Sequence, residues 1–127
     1  MRKRFWVAIV LLALTLGLNA YVYYAMDSIH GYFTKETDTI IEAIKKDDYE
    51  TAEKVAERLV GEWEERSKSI NLHVSHRATH EIEARFIALK EYIVNRGPGD
   101  ALTFAEQIKS ELLLLKESEI PYLYNLL

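Results

Sequence analysis

The sequence predicts an all-α fold: an N-terminal transmembrane helix that continues into a small antiparallel helical bundle, about four helices in total. Three observations carry this. The basic cluster Arg2-Lys3-Arg4 is followed by an uncharged run, Phe5–Met26, and its roughly 22 residues exceed the roughly 20 that a membrane span needs. Beyond it, apolar residues recur at three- and four-residue steps, the helical period, in successive stretches. Turn signals concentrate at two places, Asp47–Glu50 and Asn95–Asp100.

The first element is the anchor. Residues 1–4 form a basic cap, and cations on that flank alone orient the span with its N-terminus in the cytoplasm. Phe5, Trp6, Leu11, Leu12, Leu16 and Leu18 are its lipid-facing bulk. Trp6 suits the inner headgroup level, and Tyr21, Tyr23 and Tyr24 suit the outer one. A cleaved signal peptide competes for the same stretch. Its only nearby exit, Leu18-Asn19-Ala20, has leucine where a small residue is wanted, and apolar character continues past it. The retained anchor is the better reading. Residues 27–127 then form one extracytoplasmic domain.

Ile29, Phe33, Thr37, Ile40, Ile41 and Ile44 make a helical stripe, and nothing before Lys46 forces a stop. The anchor is therefore expected to run on as one rod to about residue 46, with 27–46 as the bundle's first helix. Asp47, three residues before Glu50, reads as a capping-box-like start with negative charge where the helix dipole favours it. The next helix spans about 48–74, with Ala52, Val55, Ala56, Leu59, Val60, Trp63, Ser67, Ile70 and Val74 on its inner stripe. Gly61 is expected to admit a neighbouring backbone beside Trp63. A bend near 71–79 leads to a helix over about 77–95, with Ala78, Ile82, Phe86, Leu89, Tyr92 and Ile93 inward. Asn95-Arg96-Gly97-Pro98-Gly99 ends it with a glycine cap and a proline. Asp100 caps a helix over about 100–117 that buries Ala101, Phe104, Ala105, Ile108, Leu112 and Leu115. Pro121 is expected to break the tail, 118–127. The start Asp48-Tyr49-x-x-Ala52 has a tetratricopeptide flavour, but three repeats are needed for a solenoid and the chain offers at most two weak ones.

Charge and composition narrow the functions. The chain carries a net −4; its first four residues contribute +3, leaving about −7 outside the membrane. That excludes the clustered basic face of a nucleic-acid binder. There is no cysteine, so neither disulfides nor thiol chemistry enter.

One constellation has the makings of a site. His73, His76 and His80 share a face of an unbroken helix, and an i, i+4 histidine pair binds zinc when an oxygen ligand such as Glu81 or Glu83 stands nearby. The metal candidate is therefore His73, His76, His80 and Glu83. Against it, the HExxH order is absent, no second histidine cluster completes a four-ligand site, and polar residues at a helix bend are the simpler explanation of the cluster. Glu62, Glu64 and Glu65 read as a solvated face, with Glu62 pairing with Arg66 four residues on. No phosphate loop and no nucleophile–base arrangement has local support, so no enzyme and no cofactor is expected. The uncharged tail residues Tyr122, Leu123, Tyr124, Leu126 and Leu127 would be a liability in water. They are read as closing the open end of the bundle or as docking a protein partner.

Trp63, His76, Ile82-Glu83, Leu89-Lys90-Glu91-Tyr92-Ile93 and Asn125-Leu126-Leu127, behind a basic start and a single span, give a familiar order. In it the chain resembles the domain-of-unknown-function family 4363, small membrane-anchored helical proteins of Gram-positive spore-forming bacteria. The resemblance covers nearly the whole chain. The family pattern places an acidic residue soon after the histidine, whereas here Arg77, Ala78 and Thr79 follow. The resemblance implies an anchored helical protein outside the cell and brings no activity. The expected function is a single-pass membrane protein with a non-catalytic extracytoplasmic interaction module, binding another protein or its own copy. The alternative is a metal-responsive or small-ligand sensor using the histidines.

Overall fold

The structure, a computed structural model, describes residues 2–70 and 76–126, with side chains as far as Glu117. Four helices follow one another: α1 Arg2–Lys45, α2 Tyr49–Ile70, α3 His76–Val94 and α4 Pro98–Leu126. No strand occurs among the described residues. With no stop signal between the apolar run and Lys45, α1 persists for 44 residues, about 66 Å at the usual rise.

The chain reverses after α1 by a Schellman turn. Asp48 N–H reaches the Ala43 carbonyl at 2.8 Å and Asp47 N–H the Ile44 carbonyl at 3.1 Å, which satisfies carbonyls the helix end leaves free. Asp47 holds the left-handed position of this turn, φ 58°. It therefore closes α1 instead of opening α2. The α2 cap is the next residue, Asp48, whose Oδ1 accepts from Thr51 N–H at 3.2 Å. That bond to the ionised carboxylate holds Asp48 below its ordinary pKa.

The α3–α4 turn repeats the device. Gly97 N–H bonds the Tyr92 carbonyl at 2.9 Å and Arg96 N–H the Ile93 carbonyl at 3.1 Å. The left-handed residue is Arg96, φ 58°, and not the glycine beside it. Gly97 then serves as the first residue of the next helix's cap, since Ala101 N–H donates to its carbonyl at 2.9 Å. Pro98 takes the first helical position, where a missing N–H costs nothing. So α4 begins two residues before the expected Asp100, which sits in its first turn.

The expected break at Pro121 does not occur: α4 continues to Leu126. Proline's φ is compatible with a helix, and one lost backbone bond near an end does not stop it. Residues 71–75, including His73 and Val74, lie outside the described residues, as does Leu127.

α1 packs on α2 and α4, and α3 packs on the same two. The helices thus stand round a square, up, down, up and down, in the antiparallel arrangement that short connections favour. The expected stripes turn inward: Phe33, Ile40, Leu59, Trp63, Phe86, Leu89, Ile93 and Ile108 are fully or almost fully buried. Val60, Ala78, Tyr92 and Phe104 are only half-buried at the edge of the core. At its centre Trp63 meets Phe33 edge-on at 5.1 Å and Phe86 at 6.0 Å between ring centroids. Its indole N–H donates to the Thr79 carbonyl at 3.0 Å, tying α2 to α3. Gly61 faces solvent, and a Cβ there would meet nothing within 4 Å. The close backbone approach expected beside Trp63 is absent, because the core side of α2 is filled by Trp63 itself.

Candidate functional site

The first half of α1 carries a feature unlike the rest. Phe5, Trp6, Leu11, Leu12, Leu16 and Leu18 are all exposed, Trp6 at 63 % and Leu12 at 56 %. Over the same helix beyond Met26 the apolar residues are buried. Among the described residues, α1 is the one helix long and apolar enough to cross a membrane.

Where bare rod becomes bundle, a polar seam joins α1 to α4. Lys116 Nζ lies 2.7 Å from Asp27 Oδ1, and two to three turns further on Lys109 Nζ lies 2.7 Å from Asp38 Oδ1. The bond from Lys116 holds the Asp27 carboxyl below its ordinary range and raises the lysine. His30, one turn from Asp27, has its pKa lowered, first by partial desolvation and then by the Lys116 charge.

The α1–α2 seam is a second network. The Tyr32 hydroxyl donates to Glu62, Arg58 bridges Glu36 and Glu62, and the Arg66 guanidinium lies over the Tyr32 ring at 5.9 Å from its centroid. Accepting from Tyr32 makes the phenol harder to ionise. Glu62 is thus not paired with Arg66 as the i, i+4 spacing predicts, because a hydroxyl from the neighbouring helix competes successfully for it. Glu64 and Glu65 are exposed, as a solvated face requires. On the other side of the bundle Arg85 holds Glu111 and donates to Gln107 Oε1 at 2.8 Å. These residues line an open groove between α3 and α4.

The predicted metal residues fall on the first turns of α3. The His76 and His80 rings stack with centroids 6.4 Å apart, both exposed. His80 Nδ1 lies 3.6 Å from Glu83 Oε2. Among the described residues no group of three or more His, Asp or Glu side chains converges as a metal site would require. His73 falls outside those residues. So do the side chains of Tyr122, Leu123, Tyr124 and Leu126 and the whole of Leu127, the predicted partner-binding tail. Spacing alone missed the Asp27–Lys116 and Tyr32–Glu62 contacts, because each joins residues far apart in the chain.

No curated protein and no solved structure matches this chain. A family model does, over residues 20–126, from the last turns of the apolar run to the end of α4. The bundle and its apolar tail are together the unit that this model describes, and the chain belongs to the family of the domain of unknown function DUF4363.

Proposed function

We propose that the chain is a single-pass membrane protein whose N-terminus is cytoplasmic and whose helical bundle, outside the membrane, is a non-catalytic interaction module for another protein or a second copy. The observation that carries this is the exposed apolar surface from Phe5 to Leu18, on a helix whose later turns are buried in a bundle. Leaving it in water forgoes about 25 cal/mol for every Å² that lipid would cover. The flanking Arg2-Lys3-Arg4 supports the orientation. Ionic groups of the bundle pair with one another at the helix seams, which favours a scaffold over a reaction site. Two arms test the reading. Carbonate washing of cell membranes leaves the full-length chain in the pellet, whereas a chain trimmed near Ala20 and found in the medium contradicts the anchor. In-cell cross-linking through the exposed amines of Lys54 and Lys68 yields a discrete heavier adduct. Monomer alone across a range of cross-linker doses argues against an interaction module.

The second reading, a metal-responsive or small-ligand sensor, draws on the shared face of His76, His80 and Glu83. If it holds, micromolar zinc raises the Tm of the detergent-solubilised protein and His80→Ala removes the rise. An unchanged Tm dismisses it.

A further inference from the structure

Resting on the anchor reading above, we propose that the last two turns of α4 enter the outer leaflet beside α1, giving the protein a second, half-depth contact with lipid. Register sets the level. Lys116 is joined to Asp27 across the α1–α4 seam, and the two helices run antiparallel. Ten further residues of α4 descend about 15 Å at the helical rise, which brings Tyr122 to the level of Tyr21, Tyr124 to that of Asn19 and Leu126 to that of Gly17. These are the levels of the outer aromatic belt and the outer half of the span.

Charge runs out on both helices at nearly the same height. Going toward the membrane, the last charged residue of α1 is Asp27 and that of α4 is Glu119, about one turn lower. From Ile120 to Leu127 there is no charged side chain, and Ile120, Tyr122, Leu123, Tyr124 and Leu126 supply apolar bulk. A segment of eight residues cannot span a bilayer, yet its length of about 12 Å suffices to reach into one leaflet. Tyrosine is the residue that tolerates such a boundary, with ring in lipid and hydroxyl in water.

The other wall of the contact is visible on α1. Within the apolar run most side chains are open, Tyr24 at 76 %, but Val22 is 7 % and Met26 4 % exposed. The side-chain amide nitrogen of half-buried Asn19 is also covered, with no hydrogen-bond partner among the described residues. Asn19 lies one and two turns from Tyr23 and Asp27, the edge along which Lys116 is held. So the buried stripe of the bundle continues into the span on the side where α4 arrives. The final turn of a helix leaves carbonyls without intrahelical donors, and Asn19 sets an unengaged amide donor at that level.

The chain's lack of cysteine makes the test direct. Single cysteines at Leu126, Leu123, Gly99 and Leu12 of the full chain are labelled with an environment-sensitive fluorophore and reconstituted in phosphatidylcholine–phosphatidylglycerol vesicles. The expected result is blue-shifted emission at Leu126 and Leu123, quenched by lipids spin-labelled along the acyl chain and several-fold less by aqueous iodide than at Gly99. Iodide quenching at Leu126 and Leu123 equal to that at Gly99 overturns the proposal. So does shielding from both quenchers, which would mean that protein covers the tail. The Leu12 probe separates the two claims: lipid quenching there with none at Leu126 refutes the tail contact and leaves the anchor standing. Absence of lipid quenching at Leu12 refutes the anchor, and the tail contact with it.

Discussion

At the scale of single residues, backbone conformation sets a cost that the side chains do not. Asp47 and Arg96 both sit at φ 58° in Schellman turns, where a Cβ is disfavoured and glycine is not. Asp47 has an exposed side chain, so Asp47→Gly is expected to stabilise the protein by up to about 1 kcal/mol. This is the left-handed cost of about 1–2 kcal/mol less the roughly 0.4–1 kcal/mol of extra unfolded-chain entropy that glycine brings. Arg96→Gly should gain less, because the Arg96 guanidinium lies over the Tyr49 ring at 4.7 Å, a contact worth about 0.5–1 kcal/mol at an exposed site. Gly61, open to solvent in the middle of α2, is the converse case. Gly61→Ala should stabilise by about 1 kcal/mol through helix propensity alone. Urea unfolding in detergent, followed by circular dichroism, checks all three. A loss of stability at Gly61→Ala would restore the close approach that its place beside Trp63 suggested.

Trp63 is the residue the core depends on most. Fully buried against Phe33 and Phe86 and bonded to the Thr79 carbonyl, it should cost about 3–5 kcal/mol when cut to alanine. That is a large part of the roughly 5–15 kcal/mol that holds a domain together. Trp63→Phe keeps a ring and gives up only the indole hydrogen bond, since the Thr79 carbonyl stays within the α3 ladder, for a smaller loss of about 0.5–1.5 kcal/mol. Equal losses in the two variants would mean that the hydrogen bond, and not the packing, is what Trp63 supplies.

At the scale of elements, the α1–α4 seam makes stability depend on pH. Partial desolvation and the Lys116 charge lower the His30 pKa below 6.5. The folded protein therefore binds that proton less readily than the unfolded chain, and the stabilisation is full above pH 6.5 and is lost as pH falls below it. Asp27, lowered by Lys116, adds an acid loss of the same sign further down, through the carboxylate range. Lys116, raised by Asp27, contributes stability that disappears only above its ordinary 10.5. Tm in detergent is thus expected to fall between pH 7.5 and 5.5, and to fall less in His30→Gln. An identical slope in the variant would assign the titration to other groups.

The elements were largely legible in the sequence, and their junctions were not. The stripe Ile29, Phe33, Thr37, Ile40, Ile41 and Ile44 is buried throughout, because the helical period is written in the side chains that make the core. The boundaries at the two turns slipped by a residue or two, since which of two aspartates caps and which turns left-handed depends on carbonyls at Ala43 and Ile44. Arg96 in place of Gly97 has the same origin. Pro121 reads as a breaker, yet backbone geometry alone does not forbid a helix there. Seams such as Arg85 with Glu111 and Tyr32 with Glu62 join helices, and nothing in local spacing announces them. Of the proposed histidine site, the sequence set His73, His76 and His80 on one face with Glu83. The structure keeps His76 stacked on His80 and Glu83 beside His80, and His73 lies outside the described residues.

At the scale of the whole molecule, two surfaces divide the chain. One half of α1 is apolar and open, and the remaining helices close round the other half. In the proposed reading, a bundle of this size, net acidic and without cysteine, is held at one place and presents a surface there. The most direct test introduces single cysteines at Gly99, where the structure leaves room for a side chain, and at Lys3. Intact cells are then treated with a membrane-impermeant maleimide. The account predicts labelling at Gly99 in intact cells and at Lys3 only after permeabilisation, both on the full-length chain. Labelling of Lys3 but not Gly99 in intact cells would contradict it.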